Sequence, residues 1–119
     1  MSESPVLDES ALDRLREWGG DKLLGQMIKL FLENAPARMA QIRAGASGPD
    51  VQEAEKGAHS LKSSAANVGA LTLRGVAADI EKSAGAGDVD HVNELLPSIE
   101  VAFADAIAAL EAVNRGQTG

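Results

Sequence analysis

The segment VQEAEKGAHSLKSSAANVG, residues 51–69, spaces Val51, Ala54, Ala58, Leu61, Ala65 and Val68 three and four positions apart. That spacing keeps one apolar stripe on a single face of an α-helix and points it at a helical core. At about 100° per residue the stripe centres roughly 130° away from His59, so the imidazole is expected to face water. Gln52, Glu55, Lys56, Lys62, Ser63 and Ala66 share the outer face with it. An exposed imidazole, with a lysine one turn further on and small residues beside it, is suited to docking a partner for group transfer.

Working outward, Asp50 is placed to cap this helix, and Asn67 and Gly69 end it, being residues that adopt the left-handed conformation readily. Before it, Leu24, Ile28, Phe31, Ala35, Met39 and Ile42 keep to one face of a long helix opened by Asp21, and AGASGPD, residues 44–50, forms the loop. Pro36 lies inside that pattern without a slip in its period, which predicts a bend rather than a break. Earlier still, Asp8 or Ser10 caps a short lid helix carrying Leu12 and Leu15 and ending at Gly19-Gly20. Trp18 is expected to pack there. After the histidine helix, Leu73, Val76, Ala77, Ile80 and Ala84 mark another helix, stopped by GAGD. Asp88 then opens a last one through Val92, Leu96, Ile99, Phe103, Ala106, Leu110 and Val113, with a kink or a delayed start at Pro97.

No segment alternates with period two, and the connections are short, so neighbours in sequence are antiparallel. The expected fold is all-α: an up-down-up-down antiparallel four-helix bundle with a short N-terminal lid helix, one domain over residues 1–119, with 1–7 and 115–119 flexible.

Composition narrows the function. The chain carries 11 Lys and Arg against 18 Asp and Glu, a formal charge of −7, which disfavours a nucleic-acid phosphate backbone. Aromatic residues make up 3%, too few for base-stacking platforms. With no cysteine there is neither a disulfide framework nor a thiolate metal site, consistent with a cytoplasmic protein. No apolar run approaches the ~18 residues a membrane span needs, and MSESPVLDES lacks the features of a signal peptide. Neither a membrane partner nor a nucleic acid is therefore expected.

The chemistry converges on His59. Lys62, at i+3, brings an ammonium to the same face, where Cβ atoms are about 5–6 Å apart, and it can neutralise an anionic group at roughly 1 kcal/mol in such an exposed position. An imidazole in water is about three-quarters neutral at pH 7 and can attack phosphorus without an activating base. Phosphoryl transfer needs little beyond alignment and charge neutralisation, and a partner protein can bring the metal and an acidic acceptor.

Competing chemistries find less support. A di-iron bundle requires Glu-x-x-His on two helices, but Lys56 and Asp88 occupy those positions before His59 and His91. Two histidines without cysteine make a poor ligand set, so no metal is expected. His91, with Glu94 at i+3, reads as a solvated residue. Ser60, Ser63 and Ser64 sit in no nucleophile elbow, and neither GxxxxGK nor GxGxxG occurs, so self-phosphorylation from ATP is not expected.

His59-Ser60-Leu61-Lys62-Ser63, followed by Asn67-Val68-Gly69-Ala70, resembles the signature of histidine phosphotransfer (HPt) domains, H-x-L-K-G with a glycine several residues on. The likeness covers nearly the whole chain: a lid helix, a helix with FLENAP, the histidine helix and two more. Ser63 stands where the family usually has glycine, which keeps the position small but adds a hydroxyl at the rim. The resemblance implies a phosphorelay intermediate, and a monomer is expected because four long helices can complete a core in one chain. His59 would accept a phosphoryl group from the aspartate of one response-regulator receiver domain, for example in a hybrid histidine kinase, and pass it to another. It also implies that the protein holds no cofactor, Mg²⁺ being in the receiver. Lys62 would assist the phosphoryl group, with Glu55, Lys56, Ser63 and Ala66 at the partner contact and Gln41 a candidate to orient the imidazole. A two-helix dimerisation module of a histidine kinase fits less well, since Ser60 rather than an acidic residue follows the histidine and four helices can close a core in one chain. A receiver-binding adaptor bundle without covalent chemistry is the alternative.

Overall fold

In the computed structural model, which describes residues 6–118, four helices follow one another: α1 (Glu9–Ser47), α2 (Gln52–Asn67), α3 (Leu71–Gly85) and α4 (Val89–Thr118). Each packs on its neighbour in sequence, and α4 returns to α1, closing a square. The chain is therefore the all-α antiparallel four-helix bundle its periodicity implies.

The lid is the first part of α1. Asp8 caps it, its carboxylate accepting from the Ser10 N–H at 3.0 Å, and Ala11, Leu12 and Leu15 are buried beneath it. Helical dihedrals lapse at Gly19 and Gly20, where φ is −150° and +70°. Glycine takes the second of these without the Cβ clash that other residues meet. The lid thus remains joined to the long helix across a kink. Beyond it, α1 continues through Pro36 with no further interruption.

The lid is also tied at its start. Leu7 pairs with Ala70 in an isolated bridge, the Asp8 N–H donates to the Gly69 carbonyl at 2.6 Å, and the Leu71 N–H donates to the Val6 carbonyl at 3.0 Å. Residues 6 and 7, assigned to a flexible end in the sequence, are hydrogen-bonded, while residues 1–5 of that end lie outside the described residues. At the other end α4 runs on to Thr118, so the polar segment from 115 is helical where a flexible tail was expected; residue 119 lies outside the described residues. The last helix also begins at Val89 with Pro97 well inside it, so its start is not delayed.

Helix α2 occupies the place its stripe dictates. Ala54, Ala58, Leu61 and Ala65 are each 0% exposed, and Leu61 alone contributes roughly 2 kcal/mol of burial. Asp50 accepts from the Gln52 N–H at 3.0 Å and so satisfies one donor of the first turn. Because the stripe is mostly alanine, α1 approaches closely. A Cβ on Gly57 would stand 2.9 Å from the Arg38 carbonyl oxygen and 3.1 Å from Ile42 Cγ1. Side-chain bonds fasten the frame elsewhere: Arg43 of α1 grips Glu100 of α4 with two bonds of 2.6 and 2.7 Å, and Asn93 donates to the Ala46 carbonyl at 2.8 Å.

Candidate functional site

With one face of α2 packed in the bundle, the opposite face presents His59 to solvent, its side chain 64% exposed. Lys56, Ser63, Ala66 and Asn67 are exposed on α2 as well. Lys62 leans from this face toward α3 and is about a third exposed.

The group that organises the site comes from α3. Glu81 lies next to the buried Ile80, on the flank of α3 that meets α2, and its carboxylate engages two partners. Oε2 is 2.7 Å from His59 Nδ1, and Oε1 is 2.6 Å from Lys62 Nζ. The Lys62 ammonium, and secondarily the imidazole, hold the Glu81 carboxyl below the usual carboxylate range, against the opposing effect of partial burial. An ionised carboxylate only accepts, so the ring nitrogen facing it is the donor, Nδ1–H. In the neutral imidazole the lone pair is then on Nε2, the nitrogen free of that bond. The arrangement leaves an exposed nucleophilic nitrogen with its tautomer set from behind.

Around the ring is an open hollow lined by Glu55, Lys56, Ser60 and Glu81. Glu55 is half-buried, with Oε2 2.9 Å from the point a Cβ on Gly85 would occupy. Lys56 reaches back to Glu53 at 3.6 Å. The structure thus gathers His59 and Lys62 at one carboxylate, with Glu55 and Lys56 beside them and Ser63 and Ala66 along the same helix. Gln41 is turned elsewhere: its Nε2 donates to Glu53 at 3.2 Å, and its Oε1 accepts from Arg38 at 3.5 Å.

Two features escaped the sequence. Glu81 is one; its residue type and its place on a polar flank are unremarkable. A signal was present in the spacing, since His59 and Glu81 each lie eleven residues from Ala70, the middle of the tight turn, and an antiparallel hairpin sets such positions side by side. Trp18 is the other. Expected to pack, it is 73% exposed, because the glycine break follows at once and the lid's buried residues end at Leu15. Its ring lies beside a groove with Arg14, Leu15, Met27, Ala66 and Asn67. Met27 and Asn67 also line the next groove, with Leu30 and Ser64, and Leu30 is 52% exposed. An apolar strip therefore runs from Trp18 to Leu30 alongside the C-terminal end of α2.

His91, read as a solvated residue, is exposed yet bonded: its Nδ1 is 2.6 Å from the hydroxyl of Ser83, a residue only 8% exposed. It serves to satisfy a buried hydroxyl.

The model of the Hpt domain family matches residues 26–113, most of the chain and all of the helix that carries His59. The chain belongs to the Hpt domain family. Two solved structures agree with this Hpt fold. Histidine-containing phosphotransfer protein B (HptB) of Pseudomonas aeruginosa PAO1 superposes with a TM-score of 0.86 at 26% identity, covering 95% of this chain and 97% of that one. A rice protein assigned as a histidine-containing phosphotransfer protein superposes with a TM-score of 0.77 at 17% identity, covering 96% of this chain and 85% of that one, a likeness of fold. Among curated protein sequences there is no significant match. Family and fold together support a histidine phosphotransfer role in a phosphorelay.

Proposed function

We propose that this Hpt domain relays phosphoryl groups between receiver domains with His59 as the acceptor. The observation that carries the reading is the outward imidazole, 64% exposed and held by its Nδ1 so that Nε2 is presented to a partner. Nε2 attacks the phosphorus of a receiver's aspartyl phosphate; the N–P bond forms as the aspartyl O–P bond breaks, and the aspartate leaves as a carboxylate. The reverse sequence loads a second receiver. Mg²⁺ belongs to the receiver, and the Hpt domain supplies the nucleophile and Lys62. The ammonium of Lys62, resting on Glu81, is within a side chain's swing of the ring and can transfer its charge to the incoming phosphoryl oxygens. Lys56, Ser63 and Ala66 on α2, together with Glu55, form the rim that meets the receiver. The apolar strip of Trp18, Met27 and Leu30 extends that contact, and the small side chains at 63 and 66 let the receiver's loops come near.

Incubation with a phosphorylated receiver tests this. Acid-labile, base-stable phosphate is expected on the wild-type protein and absent from His59→Gln. Lys62→Ala is expected to slow transfer about fivefold, corresponding to ~1 kcal/mol for a partly exposed charge. Equal labelling of His59→Gln would refute the assignment, and receiver binding without any covalent phosphate would identify an adaptor instead.

A further inference from the structure

We propose that the cleft between α1 and α4, on the side of the bundle away from His59, binds a small organic anion, with an oxyanion group held between Lys22 and Lys29 and an apolar body laid against Leu32. The inference is independent of the phosphotransfer reading, since none of these residues belongs to the histidine face.

The order of the helices sets the place. His59 and Glu81 meet at the α2–α3 seam, and the α1–α4 seam is the opposite side of the square. There the structure leaves an open cleft of about 470 Å³, within the range that holds a small ligand. Gly25 makes the room. It lies inside α1, where alanine would favour the helix more, and a Cβ there would meet nothing closer than Asn114 Oδ1 of α4, at an ordinary 3.6 Å. A longer side chain from the same point would run into the cleft and fill it.

The lining favours an anion. Lys22 and Lys29 stand at the cleft two turns apart on one helix, about 10 Å along its axis. Both are exposed, and neither is ion-paired among the described residues. Lysine stems are long and flexible, so the two ammoniums can close on one group from either side. The carboxylate at the cleft, Asp21, is engaged by Arg16 at 3.5 Å, and that guanidinium lines the adjoining groove. The local balance is therefore positive in a chain whose formal charge is −7. Two amides complete the polar set. Gln26 is exposed and Asn114 half-buried, and the Asn114 side chain has no hydrogen-bond partner among the described residues, which leaves its NH₂ group to donate to a ligand. Leu32 and the stems of the lysines supply an apolar wall. A bare inorganic anion uses only the polar half of this lining; an oxyanion joined to a short apolar body uses both.

The test titrates the ¹⁵N-labelled full chain with benzylphosphonate, whose P–C bond cannot pass a phosphoryl group to His59, and in parallel with inorganic phosphate and with benzyl alcohol. Saturable NMR shifts are expected at residues 22–29 and at the Asn114 side-chain amide, with His59 and Ser63 unmoved. Inorganic phosphate and benzyl alcohol, each meeting half of the site, should bind about tenfold more weakly or worse. Gly25→Leu, which plugs the cleft, should abolish saturation. Lys22→Ala and Lys29→Ala, at exposed helix positions where folding is unaffected, should each weaken binding about fivefold. Absence of saturation at millimolar benzylphosphonate, shifts scattered over the other lysines, or binding unchanged in the two lysine variants would overturn the site. Equal affinity for inorganic phosphate or for benzyl alcohol would overturn the assignment to an organic anion.

Discussion

Adding one methyl group should stabilise the chain at one glycine and fail to do so at another. Gly57 and Gly75 both lie inside helices, where alanine is preferred by about 1 kcal/mol because glycine loses more backbone freedom on folding. At Gly75 a Cβ meets nothing within 4 Å, so Gly75→Ala should stabilise by ~0.5–1 kcal/mol. At Gly57 the same Cβ would be 2.9 Å from the Arg38 carbonyl oxygen and 3.0 Å from Gln41 Cβ. The nearest atom belongs to the backbone of α1 and cannot rotate aside. Overpacking of this kind typically costs about 1–3 kcal/mol, which offsets or exceeds the propensity gain, so Gly57→Ala should range from neutral to ~2 kcal/mol destabilising. Urea denaturation followed by far-ultraviolet circular dichroism measures both. Because His59 is two residues on from Gly57, the displacement of α2 would also reach the site, and phosphate uptake by Gly57→Ala should fall while that by Gly75→Ala does not. Equal stabilisation by the two alanines would refute the close approach of α2 to α1.

Two further outcomes follow from charge and from surface. The guanidinium of Arg43 holds the Glu100 carboxyl below its usual 4.5, so their bond contributes stability that is present above that pH and is lost as pH falls through the lowered value. Both side chains are more than a third exposed, so Arg43→Ala should cost at most ~1 kcal/mol at pH 7, and the gap from wild type should close below pH 4.5; an undiminished gap there in urea titrations would exclude the ion pair as its source. Trp18→Ala removes a side chain that is 73% exposed, so it should leave the urea midpoint nearly unchanged yet weaken receiver binding by about tenfold or more, as loss of an interface tryptophan does. Calorimetric titration giving equal affinities would remove the apolar strip from the docking surface.

The fold was legible because its information is local. Stripes of period 3.6 at residues 24–42, 51–68, 73–84 and 92–113 appear as four packed helices, and Gly19-Gly20, Gly69 and Asp88 punctuate the chain where the sequence places them. Misreadings came where an end effect competed with the local pattern. Trp18 follows Leu15 by three positions and reads as its packing neighbour, but the break after it carries the ring past the core. The polar residues after Val113 resemble a tail, yet a helix with so long an apolar stripe behind it extends through them, since each further turn satisfies its own carbonyls.

The site divides in the same way. His59 and Lys62 were visible because both belong to one helix, where one turn separates them and periodicity states which way they point. Glu81 was not, since no residue type near it marks it out and its partners lie on another helix; only the register of the α2–α3 hairpin connects them. That register also governs the chemistry. A carboxylate one turn earlier or later on α3 would lie about 5.4 Å along the axis, beyond hydrogen-bond reach of a ring that now has it at 2.7 Å. The tight turn closed by Gly69, whose φ of +71° only glycine takes easily, therefore bears on the reaction as well as on the fold: lengthening it by a residue would shift Glu81 relative to His59 and leave the tautomer of the imidazole unset.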